Sequence, residues 1–395
     1  MSLQFAHRMQ GLKPSAIREI LKFTSDPKVI PFAAGNPAPE AFPTKAVEKI
    51  TADILSKNPI AALQYSISEG YPLLRETLKK DLLQRHNIGK DFDEIIITSG
   101  AQQAIELACK VLCNPDDTII CENPSFIGSL NSFRSYDVNL VGVDMEDDGI
   151  NIEKLEQAMK ENKNAKILYL IPNFQNPTGK TMSLEKRKAC YDLCLKYNIN
   201  IVEDNPYGEL RISGTDIPTI KSLDTEGIVI YCGSFSKVLA PGLRVGYAYA
   251  DKEIIAKFVV CKQASDVHTS ILPQMICCDF MNNYDFNAHL QGLKEIYRKK
   301  CDLMADSLSA NLSDKITFIK PQGGLFLWCT IPKETDMMDF CKQAVLRDVA
   351  VVPGNAFLPD QDGMINAFRV NYSTPTDQQI VRGAEILGKL SKEIM

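Results

Sequence analysis

The sequence has no uninterrupted apolar run near the ~18 residues that a membrane-spanning helix needs. Its N-terminus, MSLQFAHRMQGLKPSAIREIL, has no apolar stretch followed by a small-residue cleavage site, so neither a span nor a secretory leader is expected. Positive charge is not in excess. Lys+Arg number 44 against 49 Asp+Glu, a balance of −5 at pH 7, the reverse of the basic footprint that nucleic-acid binders carry. Histidine is scarce. His7, His86, His268 and His289 are the four present, and none is spaced to complete a metal set with the cysteine pairs Cys109/Cys113 and Cys190/Cys194. The twelve cysteines form no framework and read as free thiols of a reducing, cytoplasmic compartment. With 22 Gly and 21 Pro in 395 residues there is no low-complexity bias, and no internal repeat or Ser/Gly-rich linker is seen.

What is present is ordinary globular composition, 45% apolar and 24% charged, in a chain long enough for two or three domains or one large α/β domain with an appendage. Short apolar runs alternate with helix-like segments through the middle of the chain. DEIIITSG, DTIICENP, AKILYLIPNF, NINIVEDNPY and GIVIYCGSFSK read as strands; AQQAIELACKVL and LEKRKACYDLCLKYN have helical spacing. That alternation predicts an α/β domain around a mostly parallel sheet, in which ligands gather at the carboxyl ends of the strands. From about residue 285 the pattern changes to a long helix, paired strands across Gln322-Gly323-Gly324, and a closing helix, which predicts a smaller α+β domain. The Pro- and Gly-dense stretch IPFAAGNPAPEAFP predicts an arm lying over the surface.

Four strand ends carry a consistent polar set. They are Ser99-Gly100-Ala101-Gln102; Pro172-Asn173-Phe174-Gln175-Asn176-Pro177-Thr178-Gly179; Glu203-Asp204-Asn205-Pro206-Tyr207; and Gly233-Ser234-Phe235-Ser236-Lys237 running on to Arg244. A lone Lys or Asp after a strand is ordinarily a solvated or turn residue. Four clusters in order, each behind an apolar run, point to one shared ligand site. Shorter patterns fail their own tests. Gly179-Lys180-Thr181 has Phe174 where a phosphate loop needs its first glycine. The S-x-x-K of Ser234 to Lys237 lacks the S-D-N and K-T-G partners of serine acyl enzymes, and no G-x-G-x-x-G follows a strand.

Together with SAIREIL, PFAAGNPAPEAFP, LQYSISEGY, GSFSKVLAPGLRVGY and FRVNYS, these motifs resemble the class I/II pyridoxal-phosphate-dependent aminotransferases of fold type I. The likeness runs from about Ser15 to the end and is greatest to the 2-aminoadipate, kynurenine and aromatic aminotransferase branch. It implies a large domain, residues 44–284, with a mostly parallel seven-stranded sheet flanked by helices. It also implies a small α+β domain, 285–395, and an N-terminal arm, 1–43, that covers the active site and joins the small domain. Lys237 then matches the lysine that holds pyridoxal 5'-phosphate as a Schiff base and moves the proton. Asp204 matches the carboxylate facing the pyridine nitrogen, and Tyr207 and Asn176 match the donors to the phenolic oxygen. Gly100, Ala101 and Gln102, with Ser234, Ser236 and Arg244, match the phosphate cradle. Phe126 matches the aromatic against the ring face. Tyr65 matches a tyrosine that reaches the partner subunit's phosphate, which implies a homodimer. Arg369 matches the fork for the substrate α-carboxylate, with Gly35 letting backbone approach the same group and Arg18 placed to read a distal carboxylate. The implied reaction moves the amino group of an L-amino acid (glutamate, 2-aminoadipate, aromatic or aliphatic) to a 2-oxo acid such as 2-oxoglutarate. A carbon–sulfur lyase of the same fold and an aminotransferase-like sensor domain are the alternatives. The sensor would need a winged helix-turn-helix, for which the ~30 residues ahead of PFAAGNPAPEAFP are too few, and neither membrane nor nucleic acid is an expected partner.

Overall fold

In the computed structural model of the chain, residues 3–9, 26 and 28–395 are described. Eight strands form the larger sheet: β1 Asp93–Thr98, β2 Thr118–Asn123, β3 Asn139–Glu146, β4 Gly149–Ile150, β5 Ala165–Leu170, β6 Asn200–Asp204, β7 Val229–Ser234 and β8 Gly246–Asp251. Their order is β1-β8-β7-β6-β5-β2-β3-β4. The run β7-β6-β5-β2-β3 is parallel throughout. β8 lies antiparallel between β7 and β1, so β1 points the same way as β7. The sheet has eight strands where seven were expected. The extra one, β4, is a two-residue return of β3, too short to leave an alternating pattern in the sequence.

The central strands are apolar because both faces are covered. β1, β6 and β7 are buried over most of their length. The helix Ala101–Leu112 packs Ala104, Ile105 and Ala108 beneath them. A consequence of the parallel order is that β1, β2, β5, β6 and β7 all deliver their carboxyl ends to one edge.

The smaller sheet has β9 Thr317–Phe318, β10 Phe326–Thr330, β11 Val352–Pro353 and β12 Ala367–Asn371, in the order β11-β12-β10-β9, all antiparallel. Helices Phe286–Asn311 and Asp377–Ile394 pack on one another beside it. The second of these opens on a capping box of Thr376 and Gln379, which satisfies two free N–H groups at its start. Among the described residues no helix is long and apolar enough to cross a membrane.

The stretch from Val29 to Ala38 does not lie over the surface. Val29, Ile30, Phe32, Ala33, Ala34 and Ala38 are buried. Ile30 bridges Val349 in parallel, and Phe32 O accepts from Asn371 N–H at 2.8 Å. The ring of Phe32 sits where a side chain at Gly383 would be. The alanines there are small enough to pack closely, so Pro/Gly density was a misleading sign.

A buried ion cluster ties the first strand to the β6–β7 crossover. Lys221 Nζ lies 2.6 Å from Asp93 Oδ1 and 2.8 Å from Asp224 Oδ2, all three side chains fully enclosed. Glu203 accepts from the N–H groups of Ile220 and Lys221 at 3.0 and 2.8 Å, which sets the end of β6. Lys221→Met leaves two buried carboxylates without their cation, and such losses cost about 3–5 kcal/mol. A large fall in the thermal or urea midpoint is expected; an unchanged midpoint would show that the cluster contributes nothing.

Candidate active site

The carboxyl edge of the large sheet faces the small sheet across a cavity of about 710 Å3. Of the residues expected at the site, Gly35, Ala101, Gln102, Phe126, Asn176, Asp204, Tyr207, Ser234, Ser236, Lys237, Arg244 and Arg369 all line it. Gly100 caps the helix Ala101–Leu112 at φ 79°, a left-handed conformation that glycine accepts without strain. A Cβ at Gly100 would run into the Arg244 guanidinium, so the turn requires glycine on two counts.

Asp204 ends β6 and is buried. Its Oδ2 accepts from Tyr169 Oη at 2.7 Å, and Tyr169 in turn accepts from Ser129 Oγ at 2.8 Å. Its Oδ1 is buried with no hydrogen-bond partner. Burial raises this carboxyl to about 7, with the Tyr169 hydrogen bond opposing part of the rise. A buried acceptor left open in a cavity fits a ligand that brings a donor or a positive charge to it.

Lys237 lies in the turn after β7. Its Nζ donates to Gly35 O at 2.8 Å. Burial, and then the positive charges of Arg369 and Arg244, lower it from 10.5 to about 8. A lysine held this way is about a tenth neutral and nucleophilic at pH 7, against well under a thousandth for an ordinary lysine. Tyr207 is buried edge-on to Phe326 at 5.9 Å between ring centroids, and its hydroxyl accepts from Asn176 Nδ2 at 3.4 Å.

Arg369 on β12 is buried and has no carboxylate partner among the described residues. NH1 donates to Asn176 Oδ1 at 2.8 Å; NH2 donates to Ala33 O and Ala34 O at 3.0 and 3.3 Å. The guanidinium stacks 4.1 Å above the Phe326 ring, and Nε has no partner. Its plane is therefore fixed by neutral groups while its charge stays uncompensated, which suits an incoming carboxylate.

Ser234 Oγ donates to Ser236 Oγ at 2.9 Å and accepts from Ser236 N–H at 3.1 Å. Arg244 is exposed, at φ 54°, and donates to Ser99 O at 3.1 Å. With the free N–H end of helix Ala101–Leu112 these groups gather donors and positive charge at one end of the cavity, a setting for a phosphate. Asp204 and Tyr207 stand elsewhere along its wall. The donor set as a whole fits a phosphorylated, nitrogen-bearing aromatic aldehyde.

Three of the expected residues stand apart from this set. Tyr65 does not line the cavity; it is 80% exposed, edge-on to His268 at 5.8 Å. Gly35 is not sterically compelled, since an added Cβ would meet only the Phe326 ring at 3.7 Å; what it offers is its carbonyl. Arg18 lies outside the described residues. Sequence reasoning also missed Tyr169, whose only signal was a hydroxyl inside an otherwise apolar strand. It missed Arg187 as well, fully buried in the helix Leu184–Tyr197. Arg187 holds the Asn176 loop at its base by donating to Pro172 O and Asn173 Oδ1 at 3.1 and 2.7 Å. A second cleft of about 640 Å3, beside β3 and Trp328, converges on no such set. Its lysines are already neutralised, Lys154 by Asp144 and Lys180 by Asp147.

Residues 27–387 match the family model for aminotransferases of class I and II. The chain is 38% identical over 395 residues to aromatic-amino-acid aminotransferase 1 of Thermococcus litoralis, covering 99% of this chain and 94% of that protein. It is 35% identical to the 2-aminoadipate transaminase of Thermus thermophilus, covering 97% and 95%. Among solved structures, the kynurenine aminotransferase of Pyrococcus horikoshii, in complex with PMP and with kynurenine as substrate, superposes with a TM-score of 0.95. It is 36% identical, covering 98% of this chain and 97% of that one. The chain belongs to the class I and II aminotransferases of fold type I, enzymes that depend on pyridoxal phosphate.

The Lys237 environment sets a pH dependence. Only the neutral amine attacks, so reductive alkylation of Lys237 in the cofactor-free chain should rise with pH through about 8 and then level off. Arg369→Met removes one of the cations that depress it and should move the midpoint upward. A midpoint near 10 in the unmodified chain, as for an ordinary lysine, would contradict the arrangement.

Proposed function

We propose that the residues lining this cavity carry out amino transfer between an L-amino acid and a 2-oxo acid, with Lys237 as the catalytic base and acid. The observation that carries the reading is one cavity holding three things: a lysine depressed to about 8, a buried aspartate with an open oxygen, and a buried arginine with no carboxylate partner among the described residues. Pyridoxal phosphate supplies an electron sink for the bond electrons released at the substrate Cα.

The protein's part is to hold, orient and move protons. Asp204 keeps a negative charge at the pyridine nitrogen, and Tyr169 restrains its other oxygen. Tyr207 and Asn176 bond the phenolic oxygen. Ser234, Ser236, Arg244 and the N–H groups at Gly100, Ala101 and Gln102 hold the phosphate, and Phe126 lies against the ring. Arg369 grips the α-carboxylate and fixes which bond at Cα stands perpendicular to the ring. Lys237 Nζ would then take the proton from the substrate Cα and hold it for return.

Side-chain preference is read from the same walls. Ile105, Phe126, Ile127 and Phe326 offer apolar surface for aromatic or aliphatic groups, in keeping with relatives named for aromatic amino acids and kynurenine. The described cations at the cavity are Lys237, Arg244 and Arg369, each already given a task. A distal carboxylate, as in glutamate or 2-aminoadipate, therefore calls for Arg18. An absorption titration tests both parts. The band of the bound cofactor should bleach with glutamate, 2-aminoadipate and aromatic donors and return with 2-oxoglutarate, and Arg18→Ala should raise KM for the dicarboxylic donors selectively. A band unresponsive to every amino acid would overturn the transaminase reading. Equal effects of Arg18→Ala on both donor classes would remove Arg18 from it.

The assembly we propose is a cytoplasmic homodimer. Ile60, Leu63, Tyr65 and Ile67 form an exposed apolar stretch of the kind a second copy covers, and Tyr65 within it would then serve the partner's phosphate. All twelve cysteines are free thiols, as a reducing compartment allows. Sedimentation should give a dimer at micromolar concentration, and Tyr65→Ala should weaken cofactor retention without dissociating it; a fully active monomer would refute the shared site.

A further inference from the structure

Ser99 stands between β1 and the Gly100 turn, and every polar group it has is engaged. Its N–H donates to Gln103 Oε1 at 2.8 Å. Its Oγ donates to Asp266 Oδ2 at 3.0 Å and lies 3.2 Å from Thr269 Oγ1. Its carbonyl accepts from Arg244 NH2 at 3.1 Å. The Gln103 amide is clamped at both ends. Lys262 Nζ donates to its Oε1 at 2.7 Å, and its Nε2 donates to Asp266 Oδ2 at 2.8 Å. Lys262 is itself fully buried and meets both Asp266 oxygens at 2.9 Å. None of Ser99, Gln103, Lys262 or Asp266 lines the cavity.

Two routes lead to it, through Ser99 and through Gln103, whose N–H donates to Gly100 O at 3.3 Å. Arg244 is exposed and, among the described residues, its guanidinium otherwise donates only to Pro241 O, at 3.3 Å, so its direction depends on where Ser99 O points. Ser99 O is aimed in turn by bonds that end on the Lys262–Asp266 pair. The loop that presents Asp266 is not slack. Val267, the next residue, holds φ 66° although it is β-branched, a conformation that persists only where the surroundings impose it.

We propose that Asp266 is a positioning residue for phosphate recognition. Acting through Gln103 and Ser99, it sets the Gly100 turn and the aim of Arg244, and so determines how strongly the chain prefers a phosphorylated cofactor to its unphosphorylated form. This rests on assigning that turn and Arg244 to the cofactor phosphate. An i,i+4 ion pair at a helix end would ordinarily contribute only to stability. What marks this one is that its carboxylate also holds two side chains of the phosphate turn.

The test compares affinities of the full-length, cofactor-stripped chain for pyridoxal phosphate and for pyridoxal, which lacks the phosphate. Asp266→Ala should weaken pyridoxal phosphate binding about tenfold, the size expected for loss of hydrogen bonds to a charged group. Pyridoxal binding should stay within about twofold. Inorganic phosphate, used as a competitor, should weaken in step with pyridoxal phosphate. Gln103→Met, which removes the bridging amide but leaves the ion pair, should show the same selectivity and covers the case in which Asp266→Ala does not fold. Equal weakening of both ligands would mean a merely structural role and overturn the proposal, as would no change in either. An unmodified chain that binds pyridoxal as well as its phosphate would instead refute the phosphate assignment on which the proposal stands.

Discussion

The open oxygen of Asp204 is the constraint on which the site depends. A carboxylate enclosed by protein is costly unless something answers its charge. Tyr169 answers with one neutral hydrogen bond, which leaves the carboxyl near 7. Two cations at the same cavity, Lys237 and Arg369, have no ion-pair partner among the described residues. The stability to hold such groups unpaired comes from elsewhere, from the covered parallel sheet and from satisfied clusters such as Lys221 with Asp93 and Asp224. In the proposed function, a ligand bearing a positive ring nitrogen, an aldehyde and, later, a substrate carboxylate would complete each of these groups in turn, so binding and catalysis would use the same side chains.

The topology makes this arrangement reachable. Parallel order sends the ends of β1, β5, β6 and β7 to one edge, so residues from four distant parts of the chain converge. Arg369 comes from the other sheet, and Asn176 bonds both it and Tyr207. A single amide thus joins the group that would bind the carboxylate to the group that would bind the ring. Displacement of the small sheet would be felt at Tyr207 through one hydrogen-bonded residue.

The parts of this that were legible in the sequence share a physical basis. Strands buried on both faces leave continuous apolar runs, and the polar residues immediately after them stand out. Asp204, Lys237 and the Gly100 turn were found that way, and the chain's similarity to a family supplied Arg369. What stayed hidden was local to the backbone or polar within a core. β4 is too short to show a period. The stretch at 29–38 was misplaced because its alanines pack closely despite the Pro/Gly density. Tyr169 and Arg187 are polar side chains whose partners are far away in sequence, and no spacing rule connects them. The Asp266 network lies behind the turn, where each residue alone reads as ordinary helix-end polarity.

Among the described residues, the stretch from Ala33 to Gly35 meets the two cations through peptide carbonyls, Ala33 and Ala34 for Arg369 and Gly35 for Lys237. Its contribution is therefore nearly blind to side-chain identity and acutely sensitive to chain length. Ile30 is moored to Val349 on one side, and Ala38 N–H is tied to Tyr297 Oη on the other. One residue added or lost between those moorings would slide all three carbonyls off their cations at once. Variation among descendants of this sequence should accordingly appear there as exchanges of small residues and not as insertions or deletions.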